Sequence, residues 1–150
     1  MVVDDSVSKS KLVAIVDDEE DIVKLFRDAL ASINGITIFT FTDPVMALEH
    51  FIINKEKYAL VISDLKMPGL VGTELIKKLK NKSPFVRTIL MTAFAVDDDI
   101  FKEYARKELI NGFLQKPIRL NELRAEVNSQ LHTYEHTYEL LKQESFIEIK

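Results

Sequence analysis

The chain has no cysteine and no tryptophan. Without thiols, disulfides and thiolate-bound metal centres are excluded. Glycine and proline number four each in 150 residues, too few for a collagenous, low-complexity or loop-dominated chain. A strong charge of one sign is also missing: 20 basic against 24 acidic residues leave a net charge of −4. That balance argues against a broad nucleic-acid surface, while leaving room for a small local patch. No apolar run approaches the ~20 residues needed to cross a bilayer. The opening "MVVDDSVSKS" lacks the apolar core of a secretory signal. The expectation is a cytoplasmic chain with no membrane partner and no direct nucleic-acid binding, its residues 1–10 flexible.

What is present is globular in character: 47% hydrophobic and 29% charged residues, at a length that suits one domain with a real core. Apolar runs alternate with helical periodicity. "KLVAIV" (11–16), "GITIFTF" (35–41), "YALVIS" (58–63), "VRTILMT" (86–92) and "GFLQ" (112–115) read as strands, being short, apolar and rich in β-branched and aromatic residues. Between them lie helical patterns: Ile22 to Leu30, a segment with Asp43 as N-cap and Pro44 in its first position, "GTELIKKLK" (72–80) and "DDDIFKEYARKEL" (97–109). Five β-α repeats with continuous apolar strands predict a parallel sheet covered by helices on both faces.

In such sheets, sites form beyond the carboxyl ends of the strands. Those ends carry Asp17 and Asp18, Asp64, Thr92 and Lys116. The acid run Asp17 to Asp21 therefore has two readings. Acids favour the positive end of a helix dipole, which accounts for Glu19, Glu20 and Asp21. Carboxylates brought to one rim repel each other unless a cation joins them. A donor set of oxygens, with no thiol and no His cluster, suits Mg²⁺. A carboxylate can attack phosphorus to give an aspartyl phosphate. Phosphoryl transfer then needs a metal, a cation and hydrogen-bond donors around the transferred oxygens. Asp18, Asp64, Lys116 and Thr92 supply these parts.

"AIVDDEE", "VISDLKMPGLVG", "ILMTA" and "GFLQKPI", in this order and spacing, resemble the receiver domain of two-component response regulators over residues 11–131. The resemblance implies a flavodoxin-like (βα)5 α/β fold, a doubly wound parallel sheet of strand order 2-1-3-4-5. It implies Asp64 as phosphoacceptor, taking its phosphoryl group from the phosphohistidine of a sensor histidine kinase or from a phosphotransfer protein. Asp18 and Asp64 would bind Mg²⁺, Asp18 directly, with Asp17 holding it mainly through water and Lys66 through its backbone carbonyl. Lys116 would pair with the phosphoryl oxygens and Thr92 would turn to hydrogen-bond them. Phe113 takes the place of the aromatic switch residue, where many relatives have tyrosine. The Lys116–Pro117 peptide is expected to be cis, and the small Ala93 to leave the site accessible. A partner would then read the face of the fourth helix, fifth strand and fifth helix.

A signalling domain rather than an enzyme is thus expected, either standing alone or as a piece of a longer regulator. A degenerate receiver that only binds proteins is one alternative. A Mg²⁺-dependent phosphatase of the haloacid dehalogenase type is another, but it places an acid two residues after the nucleophile, where this chain has Lys66.

The end of the chain is less conventional. Leu120, Leu123, Val127, Leu131, Tyr134, Tyr138 and Leu141 are spaced by three or four, a heptad-like stripe longer than one sheet requires. Residues 132–150 are expected to extend the last helix and to pair with a second copy or a target. The final "SFIEIK" is expected to be disordered or a stub, and no second globular domain is expected after residue 119. His132 and His136 share a helical face, a spacing that can bind zinc, but no third ligand accompanies them. A solvated face is the preferred reading.

Overall fold

The computed structural model describes residues 10–67, 70–93 and 99–149, and the side chains of these except at 100–101 and 145–149. The N-terminal segment expected to be flexible lies outside them up to residue 9, as do Pro68 and Gly69 of the "DLKMPG" stretch and the acids at 97 and 98.

The elements are β1 (Lys11–Val16), α1 (Glu20–Leu30), β2 (Ile36–Phe41), α2 (Pro44–Asn54), β3 (Tyr58–Asp64), α3 (Gly72–Lys82), β4 (Arg87–Thr92), α4 (Asp99–Arg106), β5 (Gly112–Gln115) and α5 (Leu120–Ile149). The five strands form one sheet of order β2-β1-β3-β4-β5, parallel at every pairing. This is the doubly wound α/β arrangement that the alternating pattern predicts.

Alternation along each strand sends side chains to two cores. Val13 and Ile15 of β1 face the layer of α1 and α5, packing among Phe26, Leu123 and Val127. Leu12, Ala14 and Val16 face the opposite layer, among Phe51, Leu75 and Leu79. A third cluster, Ile76, Leu90 and Ile110, fills the space beside β5. All seven residues of β3 are buried, as expected of the central strand of a sheet covered on both sides.

Local signals set several boundaries. The Asp43 carboxylate accepts from the Val45 amide at 2.9 Å, capping α2 just ahead of Pro44. Helix α4 ends at Arg106, three residues before the apolar pattern does. Glu108 takes a left-handed φ of 59°, and the Leu109 and Ile110 amides both return to the Tyr104 carbonyl. That reversal delivers Ile110 to the core.

The tail differs from expectation. Instead of becoming a stub, α5 runs unbroken to Ile149. No glycine or proline lies between 118 and 150 to stop it, and adding residues to an existing helix costs little. An alternating pattern with no strand to pair with has no competing structure to offer.

Candidate functional site

Every strand of a parallel sheet points its carboxyl end to the same rim, so residues remote in sequence meet there. Asp17 directly follows β1, and its amide continues the ladder to Phe41 O at 3.1 Å. Asp64 is the last residue of β3 and Thr92 the last of β4. Lys116 follows β5, and its amide donates to Thr92 O at 2.7 Å, tying those two strand ends together. The Lys116–Pro117 peptide is cis.

The side chains converge. Lys116 Nζ lies 3.3 Å from Asp17 Oδ2 and 3.1 Å from Asp64 Oδ1. Asp17, Asp18 and Asp64 each offer a carboxylate oxygen, and these atoms lie within 4.8 Å of one another. Asp17 is fully buried and Asp64 nearly so, while Asp18 is exposed. The remaining Asp17 oxygen, Oδ1, accepts from the Glu19 amide at 3.0 Å.

The two readings of the acid run thus separate along the chain. Asp17 turns inward to Lys116. Glu19 takes the N-cap position of α1 without a side-chain cap bond, and Glu20 and Asp21 fill the first turn, where they favour the helix dipole.

Burial raises the Asp17 carboxyl above the usual carboxylate range, and the Asp64 charge adds to this. The Glu19 amide and the Lys116 ammonium act in the opposite direction. For Lys116, burial alone would lower the pKa, but the hydrogen bond to Asp64 and the charge of Asp17 outweigh it and leave it raised. Three acids against one ammonium leave a deficit of positive charge at the rim. An all-oxygen anionic donor set of this kind fits a hard divalent cation.

The other sequence-predicted residues surround this centre. Thr92 is fully buried at the end of β4. Lys66 is exposed, in the loop two residues beyond Asp64, and Ala93 is exposed next to Thr92. Phe113 is half-buried on β5 against the cluster of Ile76, Leu90 and Ile110. His132 and His136 are both exposed on α5, and neither belongs to the acidic group at the rim.

Sequence reading missed one residue that shapes the site. A Cβ on Gly72, the first residue of α3, would overlap the main-chain carbonyl oxygen of Asp64 and come within 3.0 Å of Leu65 Cα. The Gly72 amide donates to Leu65 O at 2.8 Å, and Ser63 Oγ donates to the same Asp64 carbonyl at 2.9 Å. The start of α3 is thereby pressed against the backbone of Asp64. The available signal was a glycine inside a helix start, where its cost in entropy calls for a close approach.

The family model of the response regulator receiver domain matches residues 13–128. Among curated proteins, the chain is 31% identical over 119 residues to sporulation initiation phosphotransferase F of Bacillus subtilis, covering 79% of this chain and 92% of that protein. It is 30% identical over 124 residues to the DNA-binding transcriptional regulator NtrC of Escherichia coli, covering 83% of this chain but only 25% of NtrC. Among solved structures, a response regulator receiver domain protein from Clostridium thermocellum aligns with TM-score 0.74 at 25% identity, over 85% of this chain and 98% of that one. The receiver domain of a Francisella response regulator aligns with TM-score 0.67 at 28% identity, over 85% and 99%.

Proposed function

The chain belongs to the response regulator receiver domain family, and from that premise we propose that it accepts a phosphoryl group on Asp64 and passes the change to a protein partner. The observation that carries this reading is the ammonium of Lys116 within 3.3 Å of both Asp17 and Asp64, beside a three-carboxylate cluster.

In this reading, a carboxylate oxygen of Asp64 attacks the phosphorus of a phosphohistidine on a sensor histidine kinase or phosphotransfer protein. The P–N bond breaks and its electron pair stays on the imidazole. Asp18 and Asp64 would hold Mg²⁺ directly, with Asp17 holding it mainly through water and the Lys66 carbonyl adding a ligand. The ion, when bound, neutralises charge on the transferring oxygens. Lys116 faces the same oxygens from its position beside Asp64. Lys66, standing where a phosphatase of the haloacid dehalogenase type has its general acid, supports a signalling role over turnover of free phosphomonoesters.

The phosphoryl group adds charge and acceptor oxygens at the rim. Thr92 turns to them and Phe113 follows inward, remodelling the face of α4, β5 and α5 for a downstream protein. Shifting such an equilibrium from 1:99 to 99:1 takes about 5.5 kcal/mol. A few charge-assisted hydrogen bonds of ~1.5–3 kcal/mol supply most of that. Residues 11–131 act as the receiver and 132–149 as a helical extension of it.

Incubation with acetyl phosphate and Mg²⁺, read by intact mass, tests the proposal. The expected result is one added phosphoryl group, lost in Asp64→Asn. No gain in the native chain would instead indicate a degenerate receiver, and steady hydrolysis of phosphomonoesters an enzyme.

A further inference from the structure

At the edge of the sheet opposite Asp64, the loops entering β3 and β4 and the second half of α5 enclose a cleft of about 500 Å³. Tyr134, Tyr138 and Leu141 line it from the helix, and Lys55 and Phe85 from the loops. The stripe that seats α5 on the sheet, Leu123, Val127 and Leu131, is buried. Lys11, the first residue of β1, forms an ion pair with Glu135, marking where the sheet ends beneath the helix. Beyond that point the stripe continues as Tyr138, 53% exposed, opposite Phe85, also 53% exposed. The Tyr134 and Tyr138 rings stack with centroids 6.2 Å apart, so the aromatic wall is held in place within the chain. A wall ordered in advance loses little freedom on binding.

We propose that a second copy of this chain occupies the cleft, its α5 running antiparallel to the first. Two observations select this occupant. The cleft and the apolar stripe are parts of one surface, as a two-fold interface requires. The charges are also complementary. The described part of α5 beyond the Lys11–Glu135 pair is acidic, with Glu139 and Glu144 against Lys142. The loop wall carries Lys55, with exposed Lys57 and Lys82 close by in the chain, against Glu56.

In an antiparallel pair centred on Tyr138, Lys142 comes level with Tyr134 and flanks the Lys11–Glu135 pair of the second copy. This opposite-charge contact is of the kind that sets helix orientation, and it offsets the approach of Glu139 to its own copy. The inference is independent of the phosphoacceptor reading, because none of the groups involved lies near Asp64.

The absence of cysteine makes a direct test possible. In the full chain, Tyr138→Cys is placed close to the two-fold axis, and mild oxidation should give a covalent dimer; Leu140→Cys, 48% exposed but outside the cleft, should not. Sedimentation velocity of the native chain should show a dimer that dissociates on dilution. Phe85→Glu and Tyr138→Glu should each raise the dissociation constant by about tenfold or more, with melting temperature confirming that each variant is folded. If Phe85→Glu fails to fold, Lys55→Glu probes the same wall. A monomer at all concentrations overturns the proposal. So does a dimer indifferent to both Phe85→Glu and Lys55→Glu, which would mean pairing through the helix alone, and so does cross-linking through residue 140 in preference to 138.

Discussion

Lys116 Nζ stands 3.1 Å from Asp64 Oδ1, so the proposed phosphoacceptor already has a cation of its own. The same ammonium lies 3.3 Å from Asp17 and offsets part of the charge that would attract a metal. Replacing it by a neutral chain of similar length should therefore separate two functions. Lys116→Met should bind Mg²⁺ roughly tenfold more tightly, since a unit charge ~5 Å from a divalent ion is worth about 1–2 kcal/mol even at the dielectric of water. Phosphoryl acceptance should nevertheless slow by about 10²-fold, the scale of losing one preorganised partner to developing charge. Calorimetric titration reads the first effect and mass-resolved labelling with acetyl phosphate the second. If both fall together, Lys116 holds the site's shape rather than its charge.

Gly72 places a backbone constraint on the same carboxylate. Because a Cβ there would overlap the Asp64 carbonyl oxygen, Gly72→Ala should force α3 away from the end of β3. Overpacking of this kind costs about 1–3 kcal/mol, visible in urea unfolding. Phosphorylation of Asp64 should slow even at temperatures where the variant is fully folded. Gly35, which has a positive φ of 81° but nothing within 4 Å of its missing Cβ, is the control: Gly35→Ala should lower stability through backbone strain and leave the labelling rate unchanged.

These two residues show where the sequence was legible. The strand ends could be assigned to one rim because parallel topology fixes that geometry once five apolar runs are recognised, and β1 and β5 begin and end where their patterns do. Asp43 and Pro44 marked the start of α2 because a cap followed by proline has few other uses. Gly72 gave no such sign, because its role depends on the close approach of a strand end eight residues earlier. The length of α5 was hidden for the opposite reason: "SFIEIK" carries a local alternation that counts only if a strand is available to pair with it. The inward turn of Asp17 among five consecutive acids was decided by Lys116, far along the chain.

Metal binding should register as stability. If Asp17, Asp18 and Asp64 share Mg²⁺ only in the folded state, then Mg²⁺ at ten times its dissociation constant should stabilise the protein by about 1.4 kcal/mol. Addition of EDTA should reverse this. In Asp18→Ala the exposed member of the cluster is lost with little disturbance to the buried pair, so the fold should persist while the Mg²⁺-dependent rise in melting temperature disappears. A rise that survives in Asp18→Ala would place the ion elsewhere.

Lys80 offers a test of the fold remote from the site. It is buried near the C-terminus of α3, its amine 2.8 Å from Asn111 Oδ1. Asn111 Oδ1 also accepts from the Thr88 amide, and Gln130 of α5 donates to the Asn111 carbonyl. Burial, with the nearby Arg87 charge, lowers Lys80 from 10.5 to about 8, against a smaller opposing pull from Glu108. For a base whose folded pKa is depressed, the unfolded chain holds the extra proton between the two values, so stability rises with pH across that window. Below about 8 both states are protonated and the cost of burying the charge is present in full. Denaturant unfolding should therefore show stability increasing from pH 8 toward pH 10.5 relative to Lys80→Met, with a total on the order of 3 kcal/mol from the size of the shift. In Lys80→Met that slope should be absent. The variant should also be no less stable than the native chain at pH 7, because the apolar stem is kept and the buried charge removed, although Asn111 Oδ1 loses one of its donors. A native slope that is flat above pH 8 would mean that the Lys80 amine reaches water in solution.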